Sequence, residues 1–145
     1  MTAQAGATPE VNFEVKGLDI PFIAGETLTG HIYKPVYLSA ERTVSLLASS
    51  TEMKFMGFLQ SGDLNSLVTI VSGDHVSVRM DGITYVVAQS SFSVGDRLMV
   101  ADTQGRVDTA TDNNLVVAIA LEAASAINHV VAALIVRCPI KGDNT

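Results

Sequence analysis

Three histidines, His31, His75 and His129, are the side chains best suited to bind a metal or move a proton, and they lie far apart in the 145-residue chain. A zinc site needs such residues to converge with a carboxylate. Each sits inside or beside a candidate strand, and with fifteen Asp and Glu in the chain chance proximity to a carboxylate is no signal. Asp102 and Asp108 bracket Gly105 and both offer oxygen, which raises calcium. The stretch lacks the carboxylate at every second position that calcium loops use, so turn formation is the better account. The pairs Gly62-Asp63, Gly73-Asp74, Asp81-Gly82 and Gly95-Asp96 imitate an acidic catalytic set. Their plain reading is that Gly supplies positive φ while Asp accepts from the amides that follow.

Cys138 is the single cysteine; alone it closes no internal disulfide and makes no metal site, and it reads as a small buried hydrophobe. The chain has no Gly-rich phosphate loop, no HExxH, no paired Cys and no Gly-x-Ser-x-Gly elbow. Aromatic residues are sparse, with no Trp, which leaves little for a base- or sugar-stacking platform. The reading is therefore of a protein that is not an enzyme, with no catalytic residues, no cofactor and no metal.

The elements that would hold these residues are short and apolar. Val, Ile and Thr number 18, 9 and 12, a composition that leans toward strands. Apolar residues make up 48% and charged residues 17%, which disfavours disorder for most of the chain. At this length roughly two-thirds of the unfolded surface can be buried. The formal charge is −6 and the pI about 4.8. The nine Lys and Arg are scattered from Lys16 to Lys141, so no basic face for nucleic acid is expected. The one stretch long enough to span a bilayer, Leu115 to Val136, carries Glu122, Ser125, Asn128 and His129 in its middle, and no membrane role is expected. The start, MTAQAGATPE, has neither the basic nor the apolar part of a secretory signal. Mean hydropathy is +0.34, high for a small soluble monomer, which points to a face covered by another subunit.

Along the chain, Met1 to Glu10 reads as a flexible arm. Val11, Phe13 and Val15 alternate with Asn12, Glu14 and Lys16, the period of a half-buried strand. Ile32 to Leu38, interrupted by Pro35, suggests an edge or a bulge. Val44 to Ala48, Phe55 to Leu59 and Leu67 to Val71 follow. His75 to Met80 should put Val76, Val78 and Met80 on one face and His75, Ser77 and Arg79 on the other. Asp81-Gly82 is a hairpin signal, with Ile83 to Val87 as the returning strand. Leu98 to Ala101 and Arg106 to Thr109 flank a short loop in which Gly105 takes positive φ. Asn113 to Ile127 could be helical, but a buried strand running into an Ala-rich loop, with room for one helical turn, is the preferred reading. Turn signals every 8 to 12 residues predict an all-β fold, a single compact β-barrel or sandwich with short strands and an extended N-terminal arm. The expected division is an arm over 1–10, a β domain over 11–140 and a disordered tail over 141–145. Ala24 to Gly30 and Val94 to Val100 share Gly-acid-x-Leu, suggesting two weakly similar β units over about 20–72 and 90–137.

From Val76 to Val136 the order of features is a strand ending at Gly82, Gly95-Asp96 opening a strand, and a hairpin with Asp102 and Gly105-Arg106-Val107. Val116 to Ala124 and a final apolar strand complete it. That order resembles the tailed-bacteriophage capsid decoration, or cement, proteins, and the likeness extends back to about Ala24. The Gly usual in the segment at Val116 to Ala124 is Ala118 here, while Gly57 holds the corresponding place in the first unit. The resemblance implies a structural virion protein, made in the host cytoplasm, that trimerises and sits on the capsid exterior. There it would bridge neighbouring major capsid protein subunits and stabilise the mature head. Val11, Phe13 and Val15 are then candidates for contact with the capsid or a neighbouring subunit. Two other readings stay open: a different phage structural β-module from the tail or head completion, and a ligand-binding or enzymatic barrel with Asp96, Asp102 or His75 in a pocket.

Overall fold

The computed structural model describes residues 15–49, 52, 54–60, 69–111 and 114–136. Among these there are nine strands and no helix. They are β1 Gly17–Ala24, β2 Pro35–Ala40, β3 Thr43–Leu46, β4 Phe55–Gln60, β5 His75–Val87, β6 Arg97–Val100, β7 Val107–Thr109, β8 Ala118–Ala120 and β9 Val130–Ile135. The order across the sheet is β1-β3-β2-β4-β5-β9-β8-β6-β7. All of these neighbours are antiparallel except β1 and β3, which pair in parallel at Ile23–Thr43 and Ala24–Val44. β1 also folds back to pair with β5, from Gly17–Gly82 to Ile23–His75.

Asp81-Gly82 does not reverse the chain, contrary to the hairpin reading. It bends one uninterrupted strand, β5, whose first part pairs with β1 and β4 and whose second part pairs with β9. Gly82 has φ of 103°, and a Cβ there would lie 2.7 Å from both Gly17 Cα and Lys16 O. The β1–β5 register slips between Leu18 and Asp19 at this same point. Positive φ together with a bulge is how a strand turns from one sheet direction into another.

Of the two expected forms, barrel or sandwich, the fold is a folded, sandwich-like sheet, and its nine described strands do not close into one barrel. Among the described residues the strand order ends at β7, whose only ladder is with β6. One isolated parallel bridge, Ala88–Val107, ties β7 toward the end of β5, and a three-residue strand is too short to extend it.

Alternation sets the interior. Val76 and Val78 are buried while His75 is exposed, as their spacing implies, and Met80 is half-buried at the bend. One apolar cluster gathers Leu28, Val36, Val44, Leu59 and Val78. A second gathers Leu47, Phe58, Val86, Leu98, Val107 and Ala133, with the Phe55 ring edge-on to Phe58 at 5.7 Å. Leu28 and Leu98, the equivalent leucines of the two Gly-acid-x-Leu stretches, are both fully buried. Replacing Phe58 by Ala is expected to cost about 3–5 kcal/mol, read as a lowered denaturant midpoint at unchanged slope.

Other expectations divide. Pro35 opens β2, which lies between β3 and β4 rather than at an edge; the β2–β4 ladder slips between Val36 and Tyr37, and the β2–β3 ladder between Leu38 and Ala40. The Asn113–Ile127 segment gives Ala118–Ala120 as strand and then turns and bends, without a helix among its described residues. Thr69 to Val71 form no strand, and Leu67 and Val68 lie outside the described residues. So do the 1–10 arm, Val11, Phe13, the tail over 141–145 and Cys138.

Candidate functional site

Three surface features survive once the core is accounted for. The first is the point where the N-terminal segment joins the sheet. Val15, half-buried and not in a strand, has its carbonyl bound by Arg79 Nη1 at 2.9 Å, and the same nitrogen donates to Ile83 O at 2.9 Å. Arg79 Nε and Nη2 donate to Asp19 Oδ1 and Oδ2 at 2.7 and 3.0 Å. Ile83 N–H donates to Lys16 O at 3.1 Å. One guanidinium thus ties the outgoing chain to the bend of β5, a bidentate geometry that a lysine does not reproduce.

The second feature is a polar seam where the β6–β7 turn meets the first half of the chain. Gly105, at φ 73°, abuts Leu46 and Lys34. Asp102 Oδ1 accepts from the backbone of Gln104 and Arg106 at 3.0 and 3.2 Å, and its Oδ2 from Arg106 Nε at 2.7 Å. Arg106 Nη1 donates to Asn128 Oδ1 at 3.1 Å. Burial alone would raise the Asp102 carboxyl, but the bonds from Arg106 and Gln104 and the Arg106 charge hold it below the usual carboxylate value. Lys34 Nζ lies 3.3 Å from His31 Nδ1. Burial, then the Lys34 charge, push the His31 imidazole down, against an upward pull from Glu26.

The sign of the resulting pH dependence is fixed. A depressed His31 favours the neutral ring in the folded state. Its contribution to stability is complete above the unfolded value of about 6.5 and is lost as pH falls through the folded value. Thermal midpoints measured from neutral to mildly acid pH should therefore fall faster for the wild-type chain than for His31→Gln. Equal slopes would show that this ring does not titrate against Lys34.

The third feature is apolar. Cross-strand partners share a sheet face, so Ile83 with Leu134, Tyr85 with Ala132 and Val87 with Val130 lie together, and Leu134 continues to Ile119 on β8. The opposite face, with Thr84, Val86, Val131 and Ala133, is buried. On the outer face Leu134 and Val130 remain 38% and 48% exposed. Tyr85 meets the Tyr33 ring edge-on at 5.3 Å. This face draws on four separated chain segments, which is why no window of sequence displayed it.

The expected chemical groups are dispersed. His75 is exposed at the start of β5, and His129 Nδ1 accepts from Ser125 N–H at 3.1 Å. Asp96 Oδ2 accepts from Ser93 N–H at 2.9 Å. Asp108 Oδ1 accepts from Thr109 N–H at 2.7 Å, away from Asp102. These are turn and strand-end duties. Among the described residues no group of three or more His, Cys, Asp or Glu is placed to hold a metal, and no helix is long and apolar enough to cross a membrane.

Residues 64–135 match the family described as phage cement protein. No curated protein sequence matches the chain. Among solved structures, the N base of head fiber gp8.5 of bacteriophage phi29 is similar in fold with a TM-score of 0.56 and 21% identity. The alignment covers 86% of this chain and 98% of that one.

Proposed function

We propose that this chain, whose residues 64–135 match the phage cement protein family, binds the major capsid protein on the outer surface of the head and stabilises the mature shell. It is a structural, decoration-type component of the virion, located on the capsid exterior. The family match is the observation that carries the reading. Among the described residues the carboxylates and histidines form no group of three or more placed to hold a metal, which agrees with a non-enzymatic role.

The working form in this proposal is a homotrimer. Its support is the apolar excess of a small chain and the exposed outer face of β5, β8 and β9. Attachment is assigned in part to the N-terminal segment, with Val11, Phe13 and Val15 pairing as a strand with the capsid or a neighbouring subunit. What supports this is their alternation and the Arg79 clasp on the Val15 carbonyl, which fixes where the segment leaves the sheet. Undecorated mature heads should bind the purified chain at many sites and survive heating better when decorated. A chain lacking Met1–Glu14 should bind more weakly while keeping its fold. Failure of the full chain to bind heads would overturn the cement reading, and unchanged binding of the shortened chain would move attachment to the loops.

A further inference from the structure

We propose that the outer face of β5, β8 and β9 is the surface through which copies of this chain join one another. The proposal rests on the homotrimer reading and gives it an address.

Charge points to the occupant. Each chain carries a formal charge of −6, so two copies repel wherever acidic surface meets acidic surface. Ile83, Tyr85, Val87, Ile119, Val130 and Leu134 bring no charge at all. Glu122 lies at the edge of the face, where its Oε1 accepts from Ala132 N–H at 2.7 Å, so like-charged chains can close on these six side chains with that carboxylate already bonded within its own subunit. The face also offers a foreign partner little to recognise, because its exposed side chains are almost wholly hydrocarbon. Apolar surface packed against its own copy needs only shape, and the gain comes from water released on both sides.

The rim supplies the complement. Arg97 pairs with Ile119, and Met99, two residues along β6, pairs with Asp108 on β7. This places a cation and an acid on the same side of the sheet as the apolar face. Among the described residues neither Arg97 nor Asp108 forms an ion pair. A rim with one free charge of each sign is self-complementary between copies: Arg97 of one subunit can meet Asp108 of the next around the assembly.

Sedimentation equilibrium of the full chain tests this without any capsid. The wild-type chain should be oligomeric. Leu134→Asp should weaken association by about thirtyfold or more, the effect of truncating an interface hot spot, with an unchanged β-type circular dichroism spectrum. Arg97→Glu, at an exposed position that the fold does not depend on, should weaken association by about threefold. The double variant Arg97→Glu/Asp108→Arg should recover it. A wild-type oligomer that all these variants preserve overturns the face while leaving the oligomer standing. Loss of head binding by Leu134→Asp with the oligomer intact also overturns it, and gives the face to the capsid protein. A monomeric wild-type chain overturns the oligomer reading itself, and this proposal with it.

Discussion

Gly57→Ala is expected to lower stability by about 3 kcal/mol and the thermal midpoint by roughly 10 °C. Gly57 lies in β4 opposite Val36, and its other flank is pressed onto β5. A Cβ there would stand 2.1 Å from the Arg79 carbonyl oxygen, 2.9 Å from the Arg79 carbonyl carbon and 3.0 Å from Val78 Cγ1. The nearest atoms are backbone, so no rotamer change relieves the overlap. β5 cannot retreat cheaply, because it carries β1 on its other side and Arg79 is fastened to Asp19, Val15 and Ile83. Ala118 is the control. It is a strand residue fully buried between Leu98 and Ile135, and it accommodates its methyl group. Ala118→Gly should cost only about 1 kcal/mol, from lost packing and added backbone entropy. Equal costs for the two substitutions would show that β4 and β5 have slack that their spacing denies.

Arg79→Met should cost about 2–3 kcal/mol. Breaking a buried ion pair costs about 3–5 kcal/mol, and the figure is discounted here because the Asp19 side chain keeps 35% of its exposure. Methionine preserves the aliphatic packing and removes all four bonds, leaving the Asp19 carboxylate and two carbonyls to find water. Arg79→Lys should recover less than half of the loss, since one ammonium cannot serve acceptors on three segments. Chemical denaturation reads the stability. Limited proteolysis near Lys16 should also accelerate in both variants, because the guanidinium holds the chain at Val15. If Asp19→Asn alone reproduces the whole effect of Arg79→Met, the carbonyl bonds contribute nothing.

The all-β fold was legible because period-two alternation and Gly-Asp turns are local. Phe55 to Leu59, Val44 to Leu46 and the hairpin around Gly105 appear where the residues put them. Asp81-Gly82 misled for a physical reason. The dipeptide signals a positive φ, and a strand that bends to change sheets needs the same angle as a strand that reverses. Only the packing of Gly17 against Gly82 chooses between them, and that contact spans 65 residues. β1 was hidden because Gly17 and Pro21 interrupt its pattern. Ile23 N–H reaches Arg42 O on the β3 side, and two residues earlier the Pro21 nitrogen faces that same side, where no ladder partner needs a donor. Arg79 read only as a polar residue on the exposed face of its strand, since nothing in its window announces Asp19 or Val15. Val15 proved to lie outside any strand, and Val11 and Phe13 lie beyond the described residues.

The continuity of β5 has a mechanical consequence. A protein fastened to a pressurised shell is loaded by strain in the lattice beneath it, and two lobes joined by a slack tether would simply swing apart. Here the backbone that runs through one half is the backbone that runs through the other. Tension entering near the first strand is passed straight into the ladder with β9, and rows of hydrogen bonds on both sides must resist together. The molecule should therefore yield as a single body under force, with one rupture peak and no stretched, half-unravelled state in between.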